Sequence, residues 1–226
     1  MKDKLFLDIF WLSNKEFKVH DTFSGSVFVS KDRGPVYKVF DDVGFFKREL
    51  LYYTIFKKEG IMTPVFDDVS RRGLNVLKLE NIRWFSKRSE NFKKLWLDNI
   101  AALLKEIHSI DVNRYFKEAQ VGSSFLLRDI HPSNFFVSAS GELWVFDFSS
   151  SWLWEREEDL AWMLIELELD EKLFSNFLKT YTLAVDMSKI YRFAISILEK
   201  RILAWTGIWD KIPKYKSFLS ELKQKL

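Results

Sequence analysis

Asp129, Asn134 and Asp147 are the residues of this chain best suited by type and spacing to do chemistry. Asn134 follows Asp129 by five residues, and Asp147 follows Asn134 by thirteen. An amide oxygen and a carboxylate are hard donors. Mg²⁺ takes such donors while keeping positions open for water and phosphate oxygens. A second carboxylate beside them completes a hard-oxygen site and could also handle a proton. The three residues do this together only if the chain folds back between them.

The stretch Leu127–Ser149 reads as a strand end, a tight polar loop, a strand, a turn and a strand. The loop 128–134 is polar and contains Pro132. The apolar runs Phe135–Val137 and Leu143–Phe146 flank the turn 138–142, in which Gly141 meets the need for a positive φ. A hairpin there returns Asn134 and Asp147 to the same end of two paired strands.

Upstream, three strands are expected from residue 17 to 40. The runs around Phe17–Asp21, Val27–Val29 and Val36–Phe40 are separated by Ser24-Gly25-Ser26 and by the turn 31–34. Apolar spacing then predicts a helix over 45–59, closed by Gly60. Two further strands are expected over 63–69 and 74–79, joined by Arg71-Arg72-Gly73. Residues 80–88 read as a linker, and 91–109 as a long helix. Residues 110–123 read as a loop or short helix. Helices are expected over 157–169, 173–183, 188–205 and 214–226. The domain reading is a small, mostly β lobe over 1–82 and a mainly helical lobe over 83–226.

Lys38 lies mid-strand, with Tyr37 and Val39 pointing to the opposite face. Read alone, it is a solvent-facing lysine on a strand. If it turns into a cleft, Glu49 on the following helix is placed to hold its ammonium. That ammonium would then meet a polyphosphate as a point charge. The small residues Ser24, Gly25 and Ser26 would let backbone N–H groups approach phosphate oxygens. His108 reads as a packing or capping residue. Trp152 and Trp154 read as cover for the helical core, with a stacking wall for a ligand as the alternative.

The 35 basic and 32 acidic residues leave a formal charge of +3, too balanced to favour a nucleic-acid partner. The chain has no Cys, which excludes disulfides and thiolate metal sites. The N-terminal apolar run is broken by Asp8, which argues against a signal peptide, and no uncharged apolar run is long enough to span a bilayer. A cytoplasmic protein is the expectation.

Asp129-Ile130-His131-Pro132-Ser133-Asn134, followed by Asp147-Phe148-Ser149, resembles the protein kinase-like superfamily. The likeness is greatest to the aminoglycoside phosphotransferase and choline kinase type. Leu104–Ile110 and Glu158-Asp159-Leu160-Ala161 resemble the same type. The likeness covers roughly residues 17–169. It implies an α+β, two-lobed kinase-like fold with ATP and Mg²⁺ as cofactors and a hydroxyl compound as acceptor. Asp129 would be the catalytic residue and Asn134 and Asp147 the metal ligands. Lys38 would hold ATP phosphates, Glu49 would hold Lys38, and Ser24, Gly25 and Ser26 would form the phosphate loop. Glu80 and Ile82 would meet adenine. Asp159, Arg128 and His131 would support the catalytic loop.

The sequence also departs from that pattern. The phosphate loop has a single glycine, Arg128 precedes Asp129 as in protein kinases, and the metal motif ends in Ser149. Only nine residues separate Ser149 from Asp159, too few for a long activation segment. A small-molecule phosphotransferase is the leading expectation. A small protein Ser/Thr kinase, a nucleotide-binding scaffold and a nucleotidyl transferase remain open.

Overall fold

The computed structural model describes residues 6–7, 10, 16–32, 34–81, 92–131, 134–137, 142–205 and 212–226. The chain divides into two compact units. The first comprises Met1–Ser89 and Ser133–Ser151, and the second Glu90–Pro132 and Trp152–Leu226. The α+β class expected from the sequence is the one observed.

The first unit is built on an antiparallel sheet of β1 (Phe17–Thr22), β2 (Gly25–Ser30), β3 (Val36–Phe40), β4 (Phe66–Asp68) and β5 (Asn75–Leu79), in the order β1-β2-β3-β5-β4. Residues directly opposed across antiparallel strands share a face. Phe28 opposes Tyr37 and Val39 opposes Val76, so these four lie on one side. That face buries Phe28, Val39 and Val76 against Phe6, Leu7 and Phe17. Val27, Lys38 and Leu77 oppose one another on the other side.

Helix α1 (Val43–Lys58) covers the Lys38 face, with the Phe40 and Phe46 ring centroids 5.5 Å apart. Asp42 caps it by accepting from Gly44 N at 2.6 Å and Phe45 N at 3.1 Å. This cap starts the helix two residues before the expected Phe45. The strand expected over 63–69 is reduced to β4, because Pro64 has no N–H to give a ladder.

The hairpin expected downstream is present. Strands β6 (Ser124–Leu126), β7 (Phe135–Val137), β8 (Leu143–Val145) and β9 (Trp152–Trp154) follow in chain order. β7 and β8 pair antiparallel, Phe135 against Val145, and belong to the first unit. Phe148 beyond them packs on α1, its ring centroid 4.7 Å from that of Tyr53 and 5.0 Å from that of Phe56.

The second unit holds α2 (Phe92–Ser109), α3 (Glu157–Glu166), α4 (Glu171–Tyr181), α5 (Met187–Trp205) and α6 (Ile212–Gln224). It also holds the pair β6–β9, with Phe125 opposite Leu153. Residue order carried no separate sign of β9. Three residues with a tryptophan at each end are too few for a strand period to show. Helix α3 stops at Glu166 rather than 169, because Glu168 and Leu169 turn to positive φ. Among the described residues no helix is long and apolar enough to cross a membrane.

Gly25 carries a local constraint. Its φ is +147°, and a Cβ there would lie 1.9 Å from the Val39 carbonyl oxygen. Strain of this kind costs about 1–3 kcal/mol. Gly25→Ala is therefore expected to lower unfolding stability by about that amount in urea titration, whereas a loss below about 0.5 kcal/mol would contradict the packing described.

Candidate functional site

The first unit brings Lys38, Glu49 and Asp147 together. The Lys38 ammonium donates to Glu49 Oε2 and to Asp147 Oδ1, each at 2.7 Å. Lys38 and Glu49 are buried, and the Asp147 side chain is about one-third exposed. The expectation that Lys38 alone would face solvent fails, because α1 roofs the sheet face on which it stands. Glu49 lies on that helix, one turn before Tyr53.

The electrostatics follow from burial and charge. Burial acts against the Lys38 ammonium, but the two carboxylates outweigh it and raise its pKa. Burial pushes the Glu49 carboxyl up to about 7, against the pull of Lys38. Asp147 also feels burial, yet Lys38 and Ser149 hold its carboxyl below the ordinary aspartate value. Ser149 Oγ donates to the same Asp147 Oδ1 at 2.8 Å. The Lys38 ammonium and the Ser149 hydroxyl thus share Oδ1, and the Ser149 backbone N–H adds a further bond to the carboxylate. Asp147 itself has φ +65°, a conformation few non-glycine residues adopt.

Asn134 is buried immediately before β7, and its carbonyl accepts from Phe146 N at 3.2 Å. The hairpin thus returns the chain from Asn134 to the residue preceding Asp147. The ladder is pinned further by Val145 N donating to Met62 O, and by Arg48 donating to the Ser149 carbonyl at 3.1 Å. Among the described residues no group of three or more His, Cys, Asp or Glu is arranged to hold a metal ion. One carboxylate and one amide match an ion that completes its shell with phosphate and water, as Mg²⁺ does.

Of the small-residue loop, Ser24 lies in the β1–β2 turn, while Gly25 and Ser26 already belong to β2. Asp41 N donates to the Ser24 carbonyl at 3.0 Å, and Ser26 Oγ donates to Asp21 at 3.3 Å. Glu80 exchanges bonds with Val65: its N–H donates to Val65 O at 2.8 Å, and its Oε2 accepts from Val65 N at 3.3 Å. Ile82 lies outside the described residues.

In the second unit Asp159 is fully buried and takes three bonds. Its Oδ2 accepts from Leu127 N at 2.8 Å and lies 3.1 Å from His108 Nε2. Its Oδ1 accepts from Arg128 N at 2.8 Å. On the far side of the imidazole, Nδ1 lies 2.7 Å from the Tyr181 hydroxyl. A neutral imidazole protonated on Nε2 satisfies all of these contacts, with the Tyr181 hydroxyl donating to Nδ1. Burial raises the Tyr181 pKa and keeps that proton in place. His108, expected as a packing or capping residue, is therefore a hydrogen-bonded link between α4 and the loop of Asp129. Sequence spacing offered no sign of Tyr181, which is 73 residues away in the chain.

Arg128 has φ +59°, and its Nε donates to Glu158 Oε1 at 2.9 Å. Asp129 is partly buried, and its carbonyl accepts from His131 N at 2.9 Å. Beside Arg128 opens a cleft of about 280 Å³ lined in part by Trp152, Trp154 and Lys200. The two tryptophans are 50% and 41% exposed, so they wall this cleft rather than cover the helical core as expected.

No protein-family model matches the sequence, and no curated protein matches it by sequence. Solved structures do match by fold. The choline kinase LicA from Streptococcus pneumoniae has a TM-score of 0.72 at 16% identity, over 99% of each chain. LicA in complex with AMP has a TM-score of 0.67 at 18% identity, over 99% of this chain and 97% of the other. The ternary complex of APH(2″)-IIa with streptomycin and ATP has a TM-score of 0.64 at 15% identity, over 99% and 96%. The chain shares its fold with these choline kinase and aminoglycoside phosphotransferase structures.

Two outcomes test this geometry. Between pH 4.5 and about 7 the folded Glu49 holds a proton that the unfolded chain releases, so stability falls as pH rises across that window. Asp147 and Lys38 titrate outside it, since one is lowered and the other raised. In thermal unfolding from pH 5 to 7.5, Glu49→Gln should flatten the decline relative to the unaltered protein; an unchanged slope would contradict the assignment. Asp159→Ala strands the buried Leu127 N–H, the partly buried Arg128 N–H and His108, and should cost about 3–5 kcal/mol in denaturant unfolding.

Proposed function

We propose that the protein is an ATP- and Mg²⁺-dependent phosphotransferase that moves the γ-phosphoryl group of ATP to the hydroxyl of a small molecule. The observation that carries this reading is the buried Lys38 ammonium, bonded at 2.7 Å to both Glu49 and Asp147. A lysine held this way is a positioned point charge for polyphosphate. The fold adds support, since solved structures that share it include complexes with AMP and with ATP.

In this reading Glu49 orients Lys38, and Lys38 bonds the ATP phosphates. Asn134 and Asp147 hold Mg²⁺, which would neutralise phosphate charge there. The turn and strand start at Ser24, Gly25 and Ser26 face the phosphates with backbone groups. Glu80 and Ile82 flank adenine. Asp129 accepts a hydrogen bond from the acceptor hydroxyl and then its proton. The acceptor oxygen forms a bond to the γ-phosphorus, the bridge to the β-phosphate breaks, and ADP leaves with the electron pair. Asp159 acts on Asp129 through the backbone N–H groups of Leu127 and Arg128. Arg128 and His131 shape the same loop. Positioning and charge neutralisation supply most of the rate in such a reaction. ATP as donor suits the cytoplasmic setting read from the sequence.

A protein-kinase reading keeps one argument, the Arg128-Asp129 pair. Against it stands the short path from Ser149 to Asp159, much of it taken up by β9 and the start of α3. A cleft walled by two tryptophans better suits a small acceptor.

The test uses the full chain with MgATP. MgATP is expected to raise the melting temperature, and Asp147→Ala should abolish that rise. Asp129→Ala should retain the rise but lose about 10²–10⁴ in transfer rate with a panel of hydroxyl compounds. Absence of any MgATP-dependent stabilisation of the unaltered protein would overturn the proposal.

A further inference from the structure

The cleft beside Arg128 belongs wholly to the second unit, and its charges bear on what it can hold. Trp152 and Trp154 are two residues apart on β9, so their rings lie on one face of the strand. The partner strand β6 is buried throughout, which leaves that face as the exposed aromatic surface of the pair. Flat, exposed indole faces suit the C–H face of a cyclic polyol. The volume, about 280 Å³, is just under the ~300 Å³ at which drug-sized pockets begin and suits a single ring.

Among the described residues the cleft is lined by two cations, Arg128 and Lys200, and one carboxylate, Glu158. That carboxylate already accepts from Arg128 Nε at 2.9 Å. Lys200 lines the cleft and is exposed; its charge reaches Glu158 without forming an ion pair with it among the described residues. The charge left over is therefore positive. Tryptophan faces attract cations, but a cationic ligand would need an uncommitted carboxylate here, and among the described residues the one lining the cleft is already bonded to Arg128. The cleft is also tied to the chemistry. Arg128 forms its wall, Asp129 is the next residue, and Asp159 fixes the backbone N–H of Arg128.

We infer that the acceptor bound in this cleft is an anionic cyclic polyol, a sugar ring carrying a carboxylate or phosphate, with its ring on Trp152 and Trp154 and its anion toward Lys200. This rests on the phosphotransferase reading for the word acceptor, and on the cleft alone for the ligand class. It sets the chain apart from a choline kinase, whose named substrate is a cation.

Three pyranoses that differ mainly in charge provide the test: glucuronate, glucose and glucosamine. Each is titrated calorimetrically into the full chain without nucleotide. Glucuronate should bind most tightly and glucosamine least. Lys200→Glu should weaken glucuronate at least about tenfold and improve glucosamine, and Trp154→Ala should weaken all three. MgATP stabilisation should be unchanged in both variants. Glucuronate and glucose of equal affinity, a reversed order, or no binding by any of the three would overturn the assignment. Phosphoryl transfer to glucosamine or choline without glucuronate binding would leave the phosphotransferase reading standing and remove this one. Glucuronate binding without any MgATP stabilisation would do the reverse.

Discussion

One ammonium organises the first unit. Burying a lysine is costly unless charge and hydrogen bonds replace the water it loses. Lys38 meets that requirement with two carboxylates that come from different parts of the chain. Glu49 arrives because α1 lies over the Lys38 face of the sheet, and Asp147 arrives because a hairpin delivers it. Sheet register, helix cap and hairpin each serve this contact. Removing either carboxylate would leave a buried cation short of its compensation, so these elements are interdependent.

The second unit solves a different problem by different means. Asp159 is sealed from water, and its two oxygens are committed to backbone N–H groups and an imidazole. Neither the Asp159 carboxylate nor the His108 imidazole has any exposed surface. Asp147, by contrast, is partly exposed, and the Lys38 ammonium and the Ser149 hydroxyl both donate to the same one of its oxygens. The closed network suits a fixed scaffold. The open one suits a group that exchanges partners when a charged ligand arrives. Positive φ at Arg128 and at Asp147 shows that both loops hold backbone strain of about 1–3 kcal/mol next to these carboxylates.

Much of this was legible from residue order. The β-rich beginning, the long helix of 92–109, the hairpin joining Asn134 to Asp147 and the helical end all follow from apolar period and turn residues. The burial of Lys38 was not legible, because strand alternation gives the face of a residue but not what covers that face. β9 escaped because three residues carry no measurable period. Its tryptophans were read as core because bulk suggests burial, whereas their partner strand fills the core instead. The link from Tyr181 through His108 to Asp159 escaped for another reason. His108 lies 51 and 73 residues from its two partners, and only packing brings them together. Helix ends were missed where capping side chains or positive φ, rather than the apolar pattern, set the boundary.

The division of the chain has a consequence for its synthesis. The first unit is interrupted after Ser89 and completed only by Ser133–Ser151. Its central ion pair joins residues 109 apart. Contacts of such separation form late, since loop closure must be paid before they contribute. A chain emerging from the ribosome therefore displays sheet and α1 long before Asp147 is available, with Lys38 held by Glu49 alone. The unit begun first is the one that must wait, and a chain halted before Asp147 carries the complete five-stranded sheet with its aromatic helix face uncovered by Phe148.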